Sequence, residues 1–65
     1  MKTGDLVRMK EWPHFEEWWG MTAIICGTSI TDARQSLVDI CWLELDEIRL
    51  GMSASLFEII SEALD

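Results

Sequence analysis

The one histidine of this 65-residue chain, His14, could in principle form a catalytic thiol pair with one of its two cysteines, Cys26 or Cys41. Nucleophilic catalysis needs a nucleophile, a base and an orienting group held close together. His14 follows a proline in a segment without regular periodicity, whereas both cysteines fall in predicted strands. Because free cysteine commonly packs as a small hydrophobe, we expect a loop histidine and two unreactive thiols instead of a catalytic pair.

Other catalytic and metal-binding patterns are also missing from the sequence. The two cysteines are isolated, with no Cys-x-x-Cys or His-x-x-x-His cluster of the kind that binds structural zinc. Acidic residues are plentiful, but they fall in predicted turns or on wet faces, whereas acid–base catalysis needs two carboxylates in unlike environments. No glycine-rich phosphate loop occurs. We therefore expect no enzymatic activity, no metal, no cofactor and no small-molecule substrate.

The charge and length of the chain restrict its partners. Twelve acidic and five basic residues give a formal net charge of -7, which disfavours direct binding of nucleic acid. The longest apolar run, AIIC at 23–26, is far shorter than the roughly twenty residues of a membrane span, and no signal peptide opens the chain. The sequence predicts a single domain over residues 1–65, neither membrane-bound nor secreted.

Hydrophobic alternation predicts two strands in the first half of the chain. Val7 and Met9 alternate with basic residues, which indicates a strand with one face toward a core. MTAIIC, rich in β-branched residues, predicts a second strand at about 21–26 that ends at Gly27. Residues 11–19 have no clean period and contain a proline, so they are predicted to form a long loop between these strands.

A hairpin is predicted in the second half. LVDICWL places Val38, Ile40 and Trp42 on one face, as expected of a half-buried strand. After the turn sequence ELDE, apolar and other residues alternate again over 47–52. These two strands are close in the sequence, so we expect them to pair.

The C-terminal segment fits two patterns. Five apolar residues between 56 and 64 fall on one helical face, and Ser55 with Glu58 has capping-box spacing, which favours a short helix. FEII alternates as well, with Phe57 and Ile59 opposite Glu58, and its β-branched residues suit a strand. The pattern alone leaves both structures open.

Several short motifs together resemble the small SH3-like β-barrel proteins of tailed bacteriophages, especially those of marine and cyanobacterial hosts. These motifs are KTGDLVRMK, GMTAII, DICWL with EIRL, and LFEIISE. The resemblance implies an all-β fold: a five-stranded SH3-like barrel with a long first loop. It implies a short 3₁₀ turn near 53–56 and a last strand at about 57–60, with β-hairpins plus a C-terminal helix over about 55–64 as the alternative. It assigns a turn to Gly4 and Asp5, and core positions to Trp42, Phe57, Ile59 and Ile60.

The loop EWPHFEEWWG is longer and more aromatic than the resemblance implies, so it is the best candidate for a specific function. Trp19, next to Gly20, is expected to cap the barrel end. The other aromatic side chains and their acidic neighbours are expected to form a contact surface, because tryptophan is a favoured interface anchor. That predicted surface consists of Trp12, Phe15, Trp18, Glu11, Glu16 and Glu17.

The expected function is non-enzymatic protein–protein interaction. The resemblance implies a phage-type protein of the virion, or an accessory factor in the host cytoplasm, that binds a viral or host protein or further copies of itself. The alternative is an acidic inhibitor that mimics nucleic acid toward a host nucleic-acid-binding protein, for which the net charge is the support.

Overall fold

The computed structural model describes residues 1–64 as one five-stranded antiparallel sheet with two 3₁₀ turns. The strands are β1 (Leu6–Met9), β2 (Thr22–Ile30), β3 (Ser36–Trp42), β4 (Glu47–Ser53) and β5 (Phe57–Ser61), and the 3₁₀ turns are Glu16–Trp18 and Ala54–Leu56. The strand order is β4-β3-β2-β1-β5. The predicted all-β fold, with a long first loop and a 3₁₀ turn before the last strand, is confirmed. The sheet is not closed into the predicted barrel, because β4 and β5 do not pair with each other and are edge strands in the described part of the chain.

One face of the sheet carries the core. The inward positions of β3 alternate strictly with partly exposed ones, as predicted from LVDICWL. The buried side chains of β1 and β2 lie in the same layer as those of β3, and β5 adds one aromatic ring. The buried apolar side chains are Val7, Met9, Ala23, Ile25, Val38, Ile40, Trp42 and Phe57. The predicted core positions of β1 and β3 are therefore confirmed.

The second strand is longer than predicted, because Gly27 lies inside β2 and does not end it. The pairing register shifts between Ile25 and Gly27, which indicates a β-bulge opposite Asp39. A Cβ atom at position 27 would lie 3.0 Å from the Asp39 carboxylate, so glycine allows this close approach. Strand pairing then continues to Ile30.

The strand expected at about 57–60 is confirmed as β5, and the alternative of a C-terminal helix over about 55–64 is wrong. After the 3₁₀ turn, β5 pairs with β1, placing Phe57 opposite Met9 and Ile59 opposite Val7. This pairing supplies partners for the backbone groups on the second side of β1, which a helix could not do. Pairing across the whole sheet therefore outweighs the helical periodicity of the isolated segment.

The predicted core positions of Ile59 and Ile60 are also wrong, since both side chains are exposed. Phe57 alone among the apolar residues of β5 is buried. Among residues 1–64, β5 pairs only with β1, so its other edge has no neighbouring strand. In the described residues, the last strand therefore contributes one ring to the core and leaves two β-branched side chains at the surface.

The predicted turn at Gly4 and Asp5 is confirmed, and it connects the two ends of the described chain. The buried Asp5 carboxylate accepts hydrogen bonds from the backbone N–H of Lys2 at 2.9 Å and of Ala63 at 2.8 Å. Gly4 donates its backbone N–H to the carbonyl oxygen of Ile25. Its φ of +97° is in the left-handed region, and a Cβ atom there would lie 3.0 Å from the Cβ of Ala63.

Gly4→Ala is expected to lower the free energy of unfolding by about 1–2 kcal/mol, because the left-handed backbone is strained for alanine. Gly20→Ala is the matched control, since Gly20 also has positive φ, +76°, but a Cβ atom there would meet no atom within 4 Å. Urea denaturation should show that Gly4→Ala loses more free energy of unfolding than Gly20→Ala does, because at position 4 the clash with Ala63 adds to the backbone strain. Equal losses would contradict the close contact with Ala63.

Candidate protein-binding surface

Backbone hydrogen bonds join the residues on either side of the loop over 11–19 and close the loop at its base. The backbone N–H of Met9 donates to the carbonyl of Met21 at 3.0 Å, and that of Gly20 donates to the carbonyl of Met9 at 3.1 Å. Lys10 donates its N–H to the carbonyl of Leu56, which ties the start of the loop to the second 3₁₀ turn. The loop is therefore anchored on two sides.

Consecutive turns shape the loop itself. The N–H of Phe15 donates to the carbonyl of Trp12, the N–H of Trp18 to that of Phe15, and the N–H of Met21 to that of Trp18. His14 has φ of 73°, a left-handed conformation that closes the first of these turns. The backbone of the loop is thus ordered by its own hydrogen bonds.

An aromatic stack attaches the loop to the core. Phe15 and Trp18 stack with ring centroids 5.7 Å apart, and Trp18 lies 6.0 Å from Trp42. Trp42 in turn lies 5.8 Å from Phe57 in β5. Trp18 therefore covers the end of the core, and its ring lies between Phe15 of the loop and Trp42 of β3.

Two tryptophans of the loop remain exposed. Trp12 is 38% and Trp19 40% accessible, and the indole N–H of Trp19 donates to the backbone carbonyl of Trp12 at 2.7 Å. This hydrogen bond joins the two residues across the loop and restricts the Trp19 ring. The loop thus presents two large aromatic side chains in one place.

The roles predicted for Trp18 and Trp19 are exchanged. Trp19 was expected to cap the core, but Trp18 does so, and Trp19 is exposed. The reason is the 3₁₀ turn: with three residues per turn, Phe15 and Trp18 lie on the same side, while Trp19 continues as extended backbone in another direction. The three-residue spacing of Phe15 and Trp18 was the signal in the sequence.

The predicted contact residues therefore divide into two groups. Trp12 and the three glutamates of the loop are exposed, as a contact surface requires. Phe15 and Trp18 are half-buried and support the loop from beneath. Trp19 is an exposed aromatic residue that the prediction had left out.

Charge on the loop is mainly negative at its exposed positions. Glu11, Glu16 and Glu17 all have exposed side chains near Trp12 and Trp19 in the sequence. On the inner side, the guanidinium carbon of Arg49 lies 5.5 Å from the centroid of the Trp18 ring, a cation–π geometry. Trp18 of this loop thus already binds an arginine guanidinium, that of Arg49, on the face of its ring.

Glu44 supports the far end of the loop. Its carboxylate accepts hydrogen bonds from both the backbone N–H of Thr22, at 3.1 Å, and the Thr22 hydroxyl, at 2.8 Å. These bonds stabilise the charged form and lower the pKa of Glu44 below its ordinary value. The turn after β3 is thereby attached to the first residue of β2.

The residues first considered for catalysis do not form a metal-binding cluster within the described residues. His14 and Cys26 are exposed, and Cys41 is partly buried in β3. Across residues 1–64, no three His, Cys, Asp or Glu side chains are grouped so that they could hold a metal ion. The same residues contain no helix with the length and apolarity of a membrane span.

A cleft of ≈ 430 Å³ lies at the opposite end of β3 from the aromatic stack. Its lining comes from β2, β3, the N-terminal Met1 and the second 3₁₀ turn. No residue of the loop at 11–19 lines it. The cleft and the exposed tryptophans are therefore separate features of the surface.

Comparison of the chain with protein-family models, curated proteins and solved structures finds no match. The resemblance to phage proteins thus rests on the short motifs of the sequence. The functional argument rests on the geometry of the chain itself.

Proposed function

We propose that this chain is a non-enzymatic protein–protein interaction module of phage type, either a virion component or an accessory factor, that binds a protein partner through the loop at 11–19. The contact residues are Trp12, Trp19 and the neighbouring glutamates. One observation carries the proposal: two exposed tryptophans, with the indole N–H of Trp19 bonded to the backbone of Trp12, lie on a loop that Trp18 attaches to the core.

Tryptophan pairs of this kind suit binding for a physical reason. An indole ring buries a large apolar area while losing few rotamers, so the entropy cost of contact is small. Here the Trp19 ring is already restricted by its hydrogen bond to Trp12, and the loop backbone is ordered by turns. A preorganised surface keeps more of its contact energy as affinity.

The chemistry of the loop selects a basic partner. Glu11, Glu16 and Glu17 place negative charge beside the exposed rings, and the whole chain has a net charge of -7. Arginine and lysine side chains bind both carboxylates and aromatic faces. The stacking of Arg49 on Trp18 is an example of this interaction within the chain. The proposed ligand is therefore a protein segment rich in arginine or lysine.

The test uses a library of arginine- and lysine-containing peptides and the indole N–H signals of the protein in NMR spectra. Binding peptides should shift the signals of Trp12 and Trp19 more than that of the buried Trp42. Trp12→Ala with Trp19→Ala should then weaken binding roughly thirtyfold or more, because central tryptophans commonly act as hot spots.

Leu43→Ala with Leu45→Ala is the matched control, since both leucines are exposed but lie outside the loop. This variant should bind like the wild type. Equal weakening by the two double variants, or peptide binding that leaves the Trp12 and Trp19 signals unchanged, would refute the loop as the contact surface.

Mimicry of nucleic acid is the second candidate, and the net charge of -7 is the observation that favours it. A charge mimic should lose affinity steeply as salt rises and should bind equally well without the two tryptophans, whereas binding through the loop should require Trp12 and Trp19 at every salt concentration. Competition with DNA for a host nucleic-acid-binding protein, measured from about 0.05 to 0.5 M salt, separates these two functions. A steep salt response with no effect of the tryptophan variants would favour mimicry.

A further inference from the structure

We propose that two copies of the chain associate through their β4 edges, with residues 47–49 of each pairing antiparallel about a twofold axis at Ile48. The sheet would then continue across the axis from one copy into the other. This surface includes none of the contact residues proposed for the loop at 11–19, so the inference does not depend on the partner of that loop.

The β4 edge is open and apolar. Among residues 1–64, β4 pairs only with β3, and its first five residues are exposed. Ile48 is 62% and Leu50 75% accessible, which makes them the most exposed large apolar side chains on β4. An exposed edge strand has unpaired backbone N–H and C=O groups that favour pairing with another strand.

The charges of β4 are self-complementary in one register. In a twofold pairing centred on Ile48, Glu47 lies opposite Arg49 of the second copy, and Arg49 opposite its Glu47. Opposite charges facing each other across an antiparallel pair are stabilising. A twofold interface repeats each such contact, so both pairs form together.

Other registers of the same edge are less favourable. Centring the pair on Glu47 or on Arg49 places like charges opposite each other. Centring it on Leu50 requires Gly51 to pair, but the φ of Gly51 is +68°, which interrupts the extended strand. Ile48 is therefore the centre that the sequence and the backbone both allow.

The second edge of the sheet lacks this complementarity. β5 contains Glu58 but no basic residue. In a pairing of β5 with itself, Glu58 would lie opposite an uncharged residue or opposite another glutamate. Self-association is therefore assigned to β4.

The side chains of β4 are already oriented for the contact. The Arg49 guanidinium lies over the Trp18 ring and 3.2 Å from the Glu47 carboxylate, so both charges lie on one face of the strand. On the other face, the strand register aligns Ile24, Cys41 and Ile48 in one row. Pairing at Ile48 would join this apolar row to its counterpart in the second copy.

The test is a charge-exchange experiment by analytical ultracentrifugation at about 0.15 M salt. Glu47→Arg alone puts arginine opposite arginine in the dimer, and Arg49→Glu alone puts glutamate opposite glutamate. Each variant should weaken dimerisation about tenfold or more. An equimolar mixture should form a heterodimer, because each position 47 then faces the opposite charge at position 49.

The control pair, Arg8→Glu and Glu58→Arg, alters net charge by the same amounts at a different exposed ion pair. These variants should dimerise like the wild type, and mixing them should give no preferred heterodimer. Circular dichroism of every variant verifies that the sheet is folded. Ile48→Lys, which places two lysines at the axis, should abolish dimerisation without unfolding the exposed strand.

Three results would overturn the proposal. A wild-type chain that sediments as a monomer up to millimolar concentration has no such dimer. A mixture of Glu47→Arg and Arg49→Glu that stays monomeric excludes the Ile48 register. A wild-type dimer that persists unchanged in Ile48→Lys uses another surface.

Discussion

Trp42→Ala is expected to unfold most of the protein at 25 °C. Trp42 is completely buried and lies against Trp18 from the loop and Phe57 from β5, so its removal leaves a cavity where three segments meet. Truncation of a buried tryptophan costs about 3–5 kcal/mol. The single hydrophobic core of a 65-residue domain rarely supplies more than about 3–5 kcal/mol of net stability. Urea denaturation followed by circular dichroism measures the loss.

Trp42→Phe is the matched variant. In the wild type, the indole N–H of Trp42 is buried without a hydrogen-bond acceptor in the described part of the chain. An unsatisfied buried donor of this kind lowers the free energy of unfolding by about 1–3 kcal/mol. Phenylalanine removes this donor and keeps an aromatic ring between Trp18 and Phe57. It should therefore destabilise the protein much less than alanine does. If the two variants lose the same stability, the aromatic stack does not support the core as described.

Asp5→Asn is expected to lower the free energy of unfolding above about pH 5. It should also make that free energy fall less as the pH is lowered. In the folded chain the N–H groups of Ala63 and, next, Lys2 donate to the Asp5 carboxylate, and they hold its pKa below the ordinary value. An asparagine amide can accept one of these bonds, but its NH₂ group cannot accept the other.

The sign of the pH dependence follows from this lowered pKa. The unfolded chain takes up a proton at Asp5 before the folded chain does, so the stabilisation is present above the unfolded pKa of about 3.9. It is lost as the pH falls through the lower folded pKa. Denaturation between pH 2 and pH 7 should show a smaller acid-dependent loss for Asp5→Asn than for the wild type. Asp32→Asn, at an exposed site in the turn after β2, should behave like the wild type.

Much of the sheet could be predicted from local pattern. Alternation in LVDICWL identified the inward face of β3, and the short motif that contains Gly4 and Asp5 indicated the turn at these residues. These features depend on neighbouring residues, so a linear pattern contains them. The extension of β2 past Gly27 was missed, because glycine there serves a bulge opposite Asp39 that no local pattern reveals.

The candidate site was predicted in part. The loop, its exposed Trp12 and its glutamates follow from composition and from the absence of a period. The choice between Trp18 and Trp19 did not follow, because adjacent, identical residues have the same propensity. A 3₁₀ turn directs Trp18 to Trp42 and leaves Trp19 exposed, and that contact joins residues distant in the sequence.

Residue types and their short spacing were enough to predict the strand faces, the long aromatic loop and the strong negative charge. Contacts between distant segments were needed to establish that the C-terminal segment is a strand, that Trp18 covers the core and that the β4 edge is open. Each of these outcomes depends on which segments compete for the same backbone partners or the same core space. Periodicity within one segment contains no information about that competition.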